Sequence, residues 1–252
     1  MKRLLILILL LCAPRLDAAI SVIQTATKAG AATLDSYDLA FTSNVAADSL
    51  LVVAGSSWDN GGVSSYTVTD TRGTSYTILS FPSSAGDNGN GLRLFLAYGI
   101  SPSAGANTVT VNPAGDAANS TNSFGILEAS GVDTATPLDV DGGGVEGTST
   151  TPTRDITTGT ANALVIGVMT HNTFASPTLT EQDGTLISEE QNGLTFISHN
   201  AIYKIEGAAG VDTINWTTSA SVVWQVYLAS FKEAAAGAPA STSRRIMLRR
   251  PS

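Results

Sequence analysis

The chain has one cysteine, two histidines and few charges, and each scarcity removes a class of function. Cys12 is the single thiol, so no disulfide can form within the chain and no cysteine-rich metal site can be built. With His171 and His199 as the only imidazoles, a transition-metal centre would lack its usual ligands. A Ser-His hydrolase has little to work with either: no serine sits in a G-x-S-x-G elbow, and no catalytic residue is assigned. Positive charge is thin as well. Between Ala19 and Lys232, six basic residues face nineteen acidic ones, a formal charge of about −13. Such a body repels polyphosphate, which excludes nucleic acid as its partner. Aromatics are 6% of residues, too few for a long stacking platform. No apolar run is long enough for a transmembrane helix.

The apolar run that does stand out is N-terminal. Lys2 and Arg3 precede Leu4 to Ala13, ten residues that suit the core of a signal peptide and fall short of a membrane span. Residues 1–18 are therefore read as a signal peptide cleaved at Ala18/Ala19, and the protein as secreted, extracellular or surface-bound by bacterial-type export. Cys12 lies inside this segment, and Leu11 before it is a poor fit to a lipidation site. Beyond Lys232 the composition changes again. Ala234 to Ser243 reads as a linker, and Arg244 to Arg250 (RRIMLRR) is a basic segment too short to fold alone, either a frayed terminus or a docking arm.

The body is organised around Ala47 to Trp58, ADSLLVVAGSSW. Leu50 to Ala54 is a short unbroken apolar run between turn residues, the pattern of a strand covered on both faces. The same signal recurs at Ala161 to Thr170, ANALVIGVMT. Other segments recur in the same order: SYDLAFT at Ser36–Thr42 and RDITT at Arg154–Thr158, then Gly105–Val109 and Gly210–Ile214, then ILEAS at Ile126–Ser130 and VYLAS at Val226–Ser230. The offset between matched residues shrinks steadily, from 114 at Asp48/Asn162 to 100 at Ser130/Ser230, as loop shortening alone would produce. On this alignment Glu128 matches Leu228. Tyr66 to Leu79, with its Asp70-Thr-Arg-Gly73 turn, is expected to form a hairpin. Lys28 to Ala32 is expected to be a flexible connection.

No stretch has a helical hydrophobic period, so the expected class is all-β. The expected architecture is a β-sandwich, jelly-roll-like or Ig-like, built from two internal repeats with pseudo-two-fold symmetry. Repeat 1 spans 19–131 and repeat 2 spans 132–232, packed as one unit, with 233–252 a flexible linker and basic tail. The unbroken central run favours that packing, since a free-standing two-layer sandwich would leave such a strand one polar face. The strand DSLLVVAGSSW with VTDTRGTSYT, GANTVTV and EASGVDTATPLDV resembles a group of uncharacterised secreted duplicated β-sandwich proteins of environmental bacteria and their phages. The resemblance spans Ile20 to Lys232 and implies the fold; it brings no catalytic motif with it.

Three functional readings remain. The first is a non-enzymatic module that binds carbohydrate or a cell-surface polymer. Trp58, beside Asp59 and Asn60 at a strand end, is its best aromatic face, and Trp216 comes second. The second is a structural subunit of an extracellular, envelope or virion assembly that self-associates. The third is a calcium-dependent hydrolase. Calcium is the one cofactor weighed: Asp139 and Asp141 in a Gly-rich stretch, with Glu146 nearby, offer hard oxygen ligands. Glu128, Glu189 and Glu190 are the acids such a hydrolase would need.

Overall fold

A computed structural model describes residues 19–32, 36–59, 65–81, 91–114, 121–172, 178–190 and 197–235. The signal-peptide reading of 1–18, Asn60 and the basic segment 244–250 lie outside them. The described chain is all-β, without a helix, in four antiparallel sheets.

The first half supplies two sheets. β1 (Ser21–Ala32), β8 (Thr121–Ser130), β3 (Leu50–Asp59), β6 (Gly91–Ile100) and β5 (Thr77–Phe81) lie side by side in that order. β2 (Tyr37–Ala40), β7 (Thr108–Ala114) and β4 (Ser65–Asp70) form a three-stranded sheet. The second half supplies β9 (Leu138–Ser149), β16 (Val222–Phe231), β11 (Ala163–Asn172), β14 (Ile197–Glu206) and β13 (Thr185–Glu190) as a second five-stranded sheet. β10 (Thr153–Thr158), β15 (Gly210–Thr218) and β12 (Leu179–Gln182) make the last. Each second-half sheet has the strand order of its first-half counterpart.

Three apolar clusters separate the layers. Leu50, Val52 and Ala54 of β3 pack with Leu164, Ile166 and Val168 of β11 in a central core between the five-stranded sheets. Leu51 and Val53 turn the other way, onto Tyr37, Val68 and Val111 of the first three-stranded sheet. Val165 and Met169 of β11 do the same against Ile156, Ile214 and Trp216. Both faces of each central strand are thus buried over residues 50–57 and 163–171, with no position there where a polar residue would meet water. The outer strands face solvent on one side and alternate accordingly, as in β4, where Tyr66 and Val68 are buried and Ser65, Thr67 and Thr69 are exposed.

Local devices recur between the halves. The residue that turns the chain into each central strand, Asp48 or Asn162, has a positive φ of 60° or 55°. Asp and Asn are the side chains that tolerate this region best. On the outer sheets Thr110 donates to Asp38 and Thr213 to Asp155, each at 2.6 Å.

Four expectations need correction. Tyr66 to Leu79 is not a hairpin. The Asp70–Gly73 turn forms, with Gly73 at φ 76° and Asp70 Oδ1 accepting from the backbone of Arg72 and Thr74. It carries the chain between layers, however: β4 pairs with β7, and β5 pairs with β6. Lys28 to Ala32 continues β1, with a register shift between Lys28 and Ala31. The Gly-rich stretch after Asp139 is the interior of β9, bulged near Gly143, which has φ 69°. Finally, Leu51 faces Glu128 while its counterpart Val165 faces Ser230, so the structural equivalent of Glu128 is Ser230 and not Leu228.

Candidate functional site

At one end of the stack the central strands turn from apolar to polar. β3 finishes Ser56-Ser57-Trp58-Asp59 and β11 finishes Thr170-His171-Asn172. The ladders fix what stands beside them. Ser56 is flanked by Leu94 and Ser123, Ser57 by Arg93 and Asn122, and Trp58 by Leu92 and Thr121. Thr170 is flanked by His199 and Gln225, and His171 by Ser198 and Trp224. Described strand ends Ala32, Asp59, Gly91 and Thr121 converge at this rim.

The polar groups here are buried and mutually bonded. His199 on β14 is 1% exposed and bridges the two halves: its Nδ1 lies 3.1 Å from Ser56 Oγ and its Nε2 2.7 Å from Ser188 Oγ. Burial with no compensating charge pushes its pKa down to about 3, so the ring is neutral. One ring nitrogen then carries the proton and donates to one serine; the other accepts from the second serine. In the outer core of the first half, the hydroxyls of Ser57 and Tyr66 bond each other, and Asn122 Nδ2 donates to Tyr37 Oη at 2.9 Å. In that of the second half, Trp216 Nε1 donates to Asn200 Oδ1 at 2.8 Å, and Asn200 Nδ2 donates to Gln182 Oε1 at 2.6 Å. His171 is fully buried and its pKa is lowered by burial; Nδ1 bonds the Asn172 carbonyl at 2.9 Å, and among the described residues Nε2 has no hydrogen-bond partner.

These contacts decide what the candidate residues can do. Trp58 and Asp59 end β3 at the rim, between β6 and β8. Trp216 is elsewhere: at 0% exposure it is a core indole whose one polar atom is satisfied by Asn200, so it presents no aromatic face to a ligand. Neither histidine pairs with a carboxylate in the hydrogen bonds described, and His199 is sealed between two hydroxyls. One oxygen of each aspartate among the calcium candidates has other partners. Asp139 Oδ2 accepts from Gly159 N and Ser230 Oγ, and Asp141 Oδ1 accepts from Gly143 N and Tyr227 Oη. Glu146 stands opposite Gln225, farther along β9. Among the described residues no three His, Cys, Asp or Glu side chains gather as a metal site, so Asp139, Asp141 and Glu146 do not form one ligand set.

The acids considered for hydrolysis are likewise apart. Glu128 is fully buried opposite Leu51, toward the start of β3, and accepts from Gln24 Nε2 at 2.6 Å and Ala46 N at 2.7 Å. Glu189 and Glu190 pair in register with Asn200 and His199 at the polar end, and burial raises the Glu189 pKa. They do not flank one cleft with Glu128. The His199 bridge escaped the sequence reading, because Ser56, Ser188 and His199 are far apart in the chain. The available hint was that the apolar run of β3 gives way to Ser56-Ser57 before the strand ends. No helix among the described residues is long and apolar enough to cross a membrane. The chain matches no protein-family model, no curated protein and no solved structure.

Proposed function

We propose that this chain is a secreted, non-enzymatic binding protein for carbohydrate or a cell-surface polymer, with its recognition surface at the polar rim around Trp58 and Asp59. The observation that carries the reading is the convergence there of strand ends from a sheet whose central strand is buried on both faces, with the large aromatic Trp58 on that strand. A rigid layered scaffold that carries its variable connections at one end is a common way to build a binding site. Buried hydroxyl and amide groups behind the rim hold it in place without being available for chemistry themselves. In this reading the two halves are duplicated β-sandwiches related by a pseudo-two-fold axis. Support comes from the shared strand order, the paired turn residues Asp48 and Asn162, and the central core between the halves.

Assembly into a structural array is the second reading, and the sheet edges speak against its simplest form. The outer strands β1 and β9 each carry two register shifts, and bulges of this kind discourage edge-to-edge pairing. A glycan and polysaccharide screen, run with calcium and with chelator, tests the proposal. Binding by the natural chain that falls at least tenfold in Trp58→Ala, with an unchanged unfolding midpoint, is the expected result. Binding that survives Trp58→Ala moves the surface away from this rim, and no binding to any polymer sinks the reading in favour of assembly.

A further inference from the structure

A second surface feature lies at the seam between the halves, away from the polar rim. Ser75, Thr77, Tyr98 and Ile100 of the first half and Pro137 and Leu138 of the second line an open groove of 490 Å³. That is within the range of about 300–1,000 Å³ typical of ligand clefts. Tyr98, Ile100 and Leu138 are half-buried and pack on the central core, so the groove floor is that core's margin, left open to water.

The described chain ends alongside this groove. Lys232 N donates to Pro137 O at 3.0 Å, Asp133 N to Lys232 O at 3.0 Å, and Ala234 N to Gly131 O at 2.9 Å. Glu233 bridges Val132. The final residues thus run antiparallel to the segment that builds one wall. From Ala235 the chain continues through Gly-, Ala-, Pro- and Ser-rich sequence to Arg244-Arg245-Ile246-Met247-Leu248-Arg249-Arg250. Eleven residues reach at most about 36–40 Å when extended, so Ile246 is well within range. A tether of this length also holds such a segment at an effective concentration of roughly millimolar.

Charge favours the same occupant. The tail's four arginines face a body of net negative charge. One carboxylate is bonded to the groove wall. Asp133 accepts from the backbone of Thr136 and Ala135, and these bonds lower its pKa; Lys232 lies 3.9 Å away. Ile246, Met247 and Leu248 are the tail's large apolar side chains, set between two arginine pairs. We infer that the C-terminal segment Arg244–Arg250 docks in this groove of its own chain, its three apolar residues covering Tyr98, Ile100 and Leu138 and its arginines facing Asp133. The tail is then a strap across the seam.

Cysteine trapping tests this, because the sole natural thiol can be removed. In the full chain carrying Cys12→Ser, Thr77→Cys is paired with Met247→Cys, and the dilute protein is mildly oxidised. Thr77 and Val211 are both exposed, so neither change should disturb folding, and Val211→Cys with Met247→Cys is the distant control. The expected result is a monomeric, intramolecular disulfide formed at least about fivefold faster at Thr77 than at Val211. Adding Arg244→Ser and Arg245→Ser should reduce that advantage. Equal rates at the two positions would show an undocked tail, and disulfides found only in dimers would show that a second copy supplies the strap; either overturns the inference.

Discussion

Acid should weaken this fold through one side chain. His199 lies between the two halves with both ring nitrogens bonded to serine hydroxyls. Burial holds its pKa near 3, against an ordinary value of 6.5. The folded state therefore binds fewer protons than the unfolded state between those values. Its stability contribution is fully present above pH 6.5 and is lost as pH falls toward 3. Each pH unit costs about 1.4 kcal/mol, so between pH 7.5 and 4.5 this group removes roughly 2–3 kcal/mol, a large share of a typical domain's stability. The assay is urea unfolding at both pH values for the natural chain and for His199→Gln. At pH 7.5 the variant should be less stable by about 1–3 kcal/mol, because its amide cannot reproduce both serine bonds. At pH 4.5 that gap should close by roughly 2 kcal/mol or reverse, since glutamine does not titrate. Contributions of other groups, including buried His171, are common to both proteins and cancel in the difference. Stability curves that stay parallel from pH 7.5 to 4.5 would refute the reasoning and show that His199 does not carry a depressed pKa.

Two further stability measurements probe other parts of the fold. Glu128→Leu should cost about 2–4 kcal/mol in denaturant unfolding, because it strips partners from the Ala46 N–H and Gln24 Nε2, although leucine suits the surrounding apolar core. If position 128 truly corresponded to Leu228, the substitution would be nearly neutral. Gly125→Ala should also cost about 1–3 kcal/mol, because a Cβ there would come 2.4 Å from the Ser188 side chain on the facing sheet. The same change should loosen the Ser188–His199 bond, read as slower-exchanging protons lost from the His199 ring in proton NMR. An unaltered midpoint would mean the five-stranded sheets do not approach as closely as the structure places them.

Much of the fold was legible in the chain because burial writes itself into periodicity. Leu50 to Ala54 and Leu164 to Val168 have no polar alternation, and that alone required cover on both faces. Outer strands such as Ser65–Asp70 alternate because one of their faces meets water. Matching turn residues and the recurring order of segments could be followed because they are written along the chain. Tertiary structure decided everything that depends on partners distant in sequence. Asp70 to Gly73 has the residues of a tight turn, but whether its flanking strands pair or part depends on β6 and β7, which begin only at Gly91 and Thr108. Trp216 looked like a rim aromatic at the end of a strand, and packing against β11 made it core. Asp139 and Asp141 had the composition of a calcium loop, but both lie in β9, where Asp141 pairs with β16 and nearby donors bond one oxygen of each. The same holds for His199. A histidine's charge state follows from the dielectric and donors around it, and its two serines come from strands that only the packing of one half on the other brings together.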